Sequence, residues 1–126
     1  MTLGDKKEVT VGEFIDAIEQ NGFRQARGEW IRYSDSGYVN YACAMGQACI
    51  NLEVSYQDVR GRGFSSGVFS DIRSDTHEWN LTGYIMDLND VKRLSCKEIA
   101  KRVREKFSHS LHKKVSFSTH KYPVKE

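Results

Sequence analysis

Two helices are delimited by the sequence itself, one near each end of the chain, and they limit the possible folds more than any other feature. Near the start, Thr10 and Glu13 have the spacing of a capping box, in which each side chain bonds the other residue's backbone N–H. Apolar residues then recur at helical spacing until Asn21-Gly22, where Gly tolerates the left-handed conformation that ends helices. The pattern predicts a helix over about 10–21.

The second helix begins at Ser95, which has the same capping-box spacing to Glu98. Its apolar positions form one stripe: Cys96, Ile99, Ala100, Val103 and Phe107. Lysines and arginines cover the remaining faces. We expect this helix to bury its stripe against the core and to present its cations outward.

The segments between these helices predict a hairpin and a buried helix. Residues 24–34 and 38–43 have strand character and flank the turn-forming cluster Asp35–Gly37. Residues 42–52 are small and apolar, as in a tightly packed helix. Gly46 weakens helix propensity by about 1 kcal/mol relative to Ala, and it makes sense there if another backbone approaches closely.

The rest of the chain completes an α+β pattern of three or four helices packed on a small antiparallel β-hairpin in a single domain. Residues 60–75 are rich in Gly and Ser and predict a surface loop, and 77–88 predict a further helix. We place the globular domain at 1–108 and a basic C-terminal tail or extension at 109–126, in which 115–119 could add a short strand.

Two short motifs carry a resemblance to known proteins. The first is Cys43-Ala-Met-Gly46, which opens a helix of small residues; the second combines Leu88-Asn89-Asp90 with Ser95-Cys-Lys-Glu98-Ile-Ala100. Together they resemble a group of small proteins encoded by phages, prophages and actinobacteria. Members show a Cys-x-Leu-Gly helix, a Leu/Trp-Asn-Asp pair and a Ser/Thr-x-x-Glu-Ile-Ala helix.

The resemblance covers about 10–53 and 79–107, and Met45 stands here where the group usually has Leu. The group has no assigned biochemical activity, so the resemblance implies a phage or prophage origin and a shared fold. Physically, Asn89-Asp90 suits a helix terminus, because both side chains bond nearby backbone groups. We interpret the pair as mainly structural.

Composition restricts the location of a chain like this. The start of the chain has no apolar signal-peptide region, and no stretch approaches the roughly 18 apolar residues of a membrane span. The three cysteines, Cys43, Cys49 and Cys96, are odd in number and scattered, which argues against a secreted disulfide framework. We therefore expect a cytoplasmic protein with no membrane association, and the resemblance to phage and prophage proteins implies that the cytoplasm is that of a bacterial host cell.

Charge is distributed very unevenly along the chain. From Val91 onward there are eleven Lys and Arg against three Glu, a net +8, whereas residues 1–90 carry a net −6. Such asymmetry between halves indicates a polyanionic partner or an acidic protein surface. It also suits antiparallel self-association, so a homo-oligomer is a further alternative.

We predict the following contact residues: Lys92, Arg93, Lys97, Lys101, Arg102, Arg104, Lys113 and Lys114, with Arg60 and Arg62 of the Gly-rich loop. The expected function is that of a non-enzymatic accessory protein that binds a host macromolecule, as an inhibitor of a host system. The alternative is a nucleic-acid-binding regulator that uses the same surface, and one version of it treats 94–103 as the opening of a helix-turn-helix.

Enzymatic and metal sites have weaker support. A nucleophilic Cys43 needs a base such as His77 within hydrogen-bond reach, but a cysteine in an apolar helix is usually a small buried hydrophobe. His109 and His112 have a usable spacing but lack further ligands at zinc-site spacing. We expect no catalytic residues, no metal and no cofactor.

Overall fold

The computed structural model describes residues 5–20, 23–58, 63, 69 and 71–124. Its α-helices in these ranges are α1 (Val11–Glu19), α2 (Ala44–Leu52), α3 (Leu81–Met86) and α4 (Cys96–Lys106). Its strands are β1 (Lys6–Thr10), β2 (Arg24–Gln25), β3 (Ile31–Tyr33), β4 (Val39–Ala42), β5 (Val54–Asp58) and β6 (Lys114–Thr119). The chain is thus α+β, with two three-stranded sheets in the described part.

The first sheet has the order β1-β6-β5, and both neighbours of β6 run antiparallel to it. Lys6 lies opposite Ser118 and Thr10 opposite Lys114, which joins the start of the chain to its end. Phe117, in the middle of β6, has no exposed surface. The segment predicted as a tail or extension therefore contains the central strand of a sheet, because its buried aromatic side chains, Phe117 and Tyr122, anchor it to the core.

The second sheet has the order β2-β4-β3. The antiparallel β3–β4 pair is the predicted hairpin, shorter than expected, and Tyr33 lies opposite Val39 across a turn in which Gly37 adopts φ +88°. Residues 24–25 do not extend the hairpin. They form β2, which runs parallel to β4 on its other edge.

The helix at the start of the chain forms as predicted from its cap. Thr10 Oγ1 accepts from the Glu13 N–H at 3.0 Å, and the Glu13 carboxylate accepts from the Thr10 N–H at 2.8 Å. At α4 half of the predicted capping box forms: Ser95 Oγ accepts from the Glu98 N–H at 3.2 Å, whereas the Glu98 carboxylate accepts from Arg102 Nε. The predicted stop at Asn21-Gly22 lies outside the described residues.

The predicted helix over 77–88 begins later than expected. Asn80 is its N-cap and accepts from the Gly83 N–H at 2.7 Å, so α3 starts at Leu81. The helix then continues into a π-helical turn, Asp87–Val91. The Asn89-Asp90 pair consequently lies within this turn.

Gly46 is explained by a close backbone approach, as its position in α2 predicted. A Cβ atom at this position would lie 2.2 Å from the carbonyl oxygen of Trp30 and 2.9 Å from the Ile31 side chain. The first seven residues of α2 are buried, so the helix runs through the interior.

The core lies between the β1-β6-β5 sheet and the helices. Phe14 of α1 packs edge-on against Phe69 at 4.9 Å between ring centroids and stacks on Phe117 at 6.2 Å. Helix α1 packs against both α2 and α4. Among the described residues, none of the helices is long and apolar enough to cross a membrane.

Candidate functional site

The predicted contact surface lies on α4 and on the segments that precede and follow it; we call it the basic face. It comprises Lys92, Arg93, Lys97, Lys101, Arg102, Arg104, Lys113 and Lys114. The apolar stripe of α4 is buried as predicted, since Ile99, Ala100 and Val103 have no exposed surface. Lys97 and Lys101 are exposed on the other side of the helix.

Three cations of the basic face form ion pairs within the molecule. Arg102 Nε lies 3.2 Å from Glu98 on the same helix. Arg104 joins α4 to α1 through Asp16 and Glu19. Lys114 Nζ lies 3.4 Å from Glu8 across the β1–β6 pair.

The remaining five cations of the basic face are exposed and have no ion-pair partner among the described residues: Lys92, Arg93, Lys97, Lys101 and Lys113. Arg60 and Arg62 lie outside the described residues. Carboxylates interrupt the face, because Glu98 and the exposed Glu105 share α4 with the lysines.

The flanks of the basic face are held by backbone hydrogen bonds. The Lys92 N–H donates to the Asp87 carbonyl at 3.0 Å, which closes the π-helical turn. At the far end, the Lys113 carbonyl accepts from the Val11 N–H at 2.8 Å. These bonds place the exposed cations on a fixed backbone.

The helix-turn-helix version of the nucleic-acid alternative is wrong. After α4 the chain makes a 3₁₀ turn, Ser108–Ser110, and then enters β6. A recognition helix would have to come from residues 108–117, which instead form this turn and the first part of β6, with Phe117 buried in the core.

The two motifs that carry the resemblance meet in space, which their separation in sequence did not predict. Asn89 is only 2% exposed, and its side-chain oxygen accepts from Gln25 Nε2 at 2.8 Å and from the Ala44 N–H at 3.1 Å. Its amide nitrogen donates to the Ala26 carbonyl at 2.8 Å and to Asp90 Oδ1 at 2.7 Å. Asn89 thus joins β2, the start of α2 and the π-helical turn.

Asp90 continues this network toward the surface. Its Oδ1 atom also accepts from the N–H of Gly28, a residue with φ +76°. Arg27 donates to the carbonyls of Asn89 and Leu94 at 2.7 and 2.9 Å. Residues 27–28 and 89–90 are therefore held together by side chain–backbone bonds.

A cleft of about 250 Å³ opens beside this network. The described residues that line it are Gly28, Glu29, Trp30, Cys43, Met45, Tyr56, Met86, Asn89 and Asp90. Sequence reasoning missed the cleft, because its lining comes from four separated segments. The only available signal was the shared resemblance of Cys43–Gly46 and Leu88–Asp90.

Cys43 lies in the cleft wall as the N-cap of α2, with its sulfur accepting from the Gly46 N–H at 3.5 Å. Burial, with a smaller contribution from the charge of Asp90, raises the pKa of the Cys43 thiol. A protonated thiol is a poor nucleophile. His77, the base considered from sequence, shares no hydrogen bond with Cys43 in the described structure.

The histidines of the C-terminal segment have a different environment. His109 Nδ1 lies 3.3 Å from Asp75 Oδ1, and the His109 N–H donates to the same oxygen. The hydroxyl of Ser108, followed by this N–H, holds the pKa of the Asp75 carboxyl below its usual value. Within the described ranges, no cluster of three or more His, Cys, Asp or Glu residues could hold a metal ion.

Comparisons with protein families, with curated proteins and with solved structures find no match to this chain.

Proposed function

We propose that the protein acts without catalysis, as an accessory protein that docks its basic face onto an acidic surface of a host protein. The observation that carries this proposal is that, within the part of the chain that the structure describes, five exposed cations of the basic face have no ion-pair partner, whereas Arg102, Arg104 and Lys114 form ion pairs. When unpaired surface cations dock onto a partner, no intramolecular ion pair has to break, so no ion-pair energy is lost.

The charge pattern favours a protein over a nucleic acid as the partner. Glu98 and Glu105 lie among the lysines of α4, and Asp16 and Glu19 lie beside Arg104. A regular array of phosphates would approach these carboxylates as well as the cations. A folded protein can place its own cations opposite them, which is how electrostatic complementarity selects partners.

The resemblance to phage and prophage proteins supports placing the partner in a bacterial host cell, where the protein would inhibit a host system. The raised pKa of the Cys43 thiol supports a binding role rather than nucleophilic catalysis, since burial keeps that thiol protonated.

The test uses two double variants that each reverse two lysine charges, one on the basic face and one elsewhere on the surface. Lys97→Glu with Lys101→Glu reverses two unpaired cations of the basic face. Lys6→Glu with Lys121→Glu reverses two exposed cations elsewhere and is the matched control. We expect an affinity-tagged control to retain an acidic protein from nuclease-treated bacterial extract, and the face variant to lose it.

Two results would contradict the proposal. The first is equal retention of the partner by the two double variants, since the basic face would then not be the contact. The second is tight binding of duplex DNA or RNA that falls steeply between about 50 and 200 mM salt, the signature of phosphate neutralisation. That salt dependence, lost in the face variant, would establish the nucleic-acid alternative instead.

A further inference from the structure

The cleft beside Asn89 has a wall built largely from aromatic and sulfur-containing side chains. The rings of Trp30 and Tyr56 lie 5.0 Å apart between centroids at an interplanar angle of 60°. Met45 is buried in this wall, whereas Met86 and Tyr56 remain 44% and 47% exposed. Large apolar side chains are thus left accessible around a concave surface, as in binding sites for small ligands.

Two carboxylates border the same cleft. Asp90 is held rigidly, because its Oδ1 accepts from the N–H of Gly28 and from the Asn89 amide, while its Oδ2 has no donor among the described residues. Glu29 is exposed, and among the described residues it forms one ion pair, a 3.8 Å contact with the exposed Arg32. No cation is found among the described residues of the lining.

This combination selects a class of ligand. Aromatic faces attract organic cations, Trp most strongly, and the attraction grows when the cation carries alkyl groups that shed water easily. A guanidinium prefers two free carboxylate oxygens for its bidentate fork, whereas Asp90 offers one. The volume of about 250 Å³ lies below that of sites for drug-sized ligands and suits a single side chain or a small amine.

We propose that this cleft binds an alkylated ammonium group, with Trp30 and Tyr56 against the cation and the free oxygen of Asp90 balancing its charge. The ammonium group belongs either to a free small molecule or to a methylated lysine side chain, which share the same chemistry.

The environment of Cys43 is consistent with a negative cleft. After burial, the charge of Asp90 is among the factors that raise the pKa of the Cys43 thiol. The negative charge of Asp90 therefore disfavours the thiolate form of Cys43, and it would favour a cation bound in the cleft.

The first experiment compares two ligands of the same shape. Choline is titrated into the full-length protein and the backbone amide signals of Gly28 and Ala44 are followed by NMR. Dimethylbutanol, in which carbon replaces the quaternary nitrogen of choline, is the neutral control. We expect choline to bind at least about tenfold more tightly, the upper part of the range for a partly desolvated cation–π contact. Equal affinity, or no binding of choline, would overturn the proposal.

Variants then assign the contacts. Asp90→Asn keeps an oxygen for the Gly28 N–H but removes the charge, and Tyr56→Leu removes an exposed aromatic face; each should weaken choline binding about tenfold. Asp87→Asn, in the same π-helical turn but outside the cleft lining, is the matched control and should bind choline normally. Unchanged binding in both cleft variants would refute the site.

A short peptide carrying trimethyllysine distinguishes the two sources of the cation. Tighter binding of the peptide than of choline assigns the cleft to a methylated protein side chain. Tighter binding of choline assigns it to a free small molecule that carries an alkylated ammonium group. The site does not depend on the basic face, so the Lys97→Glu, Lys101→Glu variant should bind choline as the wild type does.

Discussion

Replacing Asn89 by Ala tests how much the buried network contributes to the free energy of unfolding. The substitution leaves two buried backbone groups without a partner, the Ala44 N–H and the Ala26 carbonyl. Each orphaned group costs about 1–3 kcal/mol. Gln25 keeps a second acceptor in the Leu94 carbonyl and adds little to the cost.

Because Asn89 also lines the cleft, water can partly replace its amide. We therefore expect the free energy of unfolding to fall by about 2–4 kcal/mol, in the lower part of the summed cost of the two orphaned groups. That is a large share of the roughly 5–15 kcal/mol that stabilises most domains. The measurement is urea denaturation followed by circular dichroism. With a slope of about 1.5 kcal/mol per molar urea, the midpoint should fall by about 2 M with the slope unchanged.

Two other asparagines provide a graded control for the same chemical change. Asn51→Ala removes a single hydrogen bond, to the Ala17 carbonyl, and should cost about 1 kcal/mol. Asn40 is exposed on β4, and its replacement should change stability by less than about 0.5 kcal/mol. If Asn89→Ala lowers the free energy of unfolding no more than Asn51→Ala does, the hydrogen bonds of Asn89 do not stabilise the fold beyond those of an ordinary half-buried asparagine.

The packing at Gly46 and the burial of the cysteines can be tested by urea titration and by thiol labelling. Gly46→Ala should destabilise the protein by several kcal/mol despite the roughly 1 kcal/mol gain in helix propensity, because the added Cβ would collide with the Trp30 carbonyl. Gly12→Ala in α1 is the control: its added Cβ would lie 3.4 Å from the nearest atom, the Leu111 carbonyl oxygen, so the same urea titration should show a neutral or stabilising effect. Burial raises the pKa values of Cys43 and Cys49, so the folded state holds these protons more tightly than the unfolded chain does. The stability that the two protonated thiols contribute is therefore fully present below about pH 8.5 and is lost as the pH rises further. A free energy of unfolding that does not change between pH 8 and 10 would contradict the raised pKa of these thiols. The three cysteines are free and buried, so a thiol reagent should label the native protein slowly and the urea-unfolded protein at once; fast labelling of native Cys43 would reopen the question of a reactive thiol.

The helices at the two ends of the chain were predictable because their signals are local. A cap such as Thr10–Glu13 or Ser95–Glu98 lies within one turn of the helix that it starts, and the apolar stripe follows at once. The constraint on Gly46 was predictable too, since only a nearby backbone explains a glycine inside a small-residue helix. The late start of α3 was missed, because Asn80 is followed at the third helical position by Gly83, which cannot complete a capping box and so gives a weaker local signal.

Strand β6 shows how tertiary contacts override a weak local pattern. Its segment is basic and follows a fading helix, so the sequence favours an extension with at most a short strand. Pairing with β1 on one edge and β5 on the other gives its backbone partners, and Phe117 fills the core beside Phe14. Neither contribution can be read from residues 114–119 alone, because both partners lie far away in sequence.

The basic face and the cleft beside Asn89 also differ in how far local sequence predicts them. The part of the basic face on α4 follows from local sequence, since a capped amphipathic helix with its apolar stripe buried must turn its remaining cations outward. Which of those cations form ion pairs depends on long-range packing, because Arg104 meets Asp16 and Glu19 only when α4 packs on α1. Tertiary structure alone created the cleft, whose lining residues come together through long-range hydrogen bonds that converge on Asn89 and Asp90.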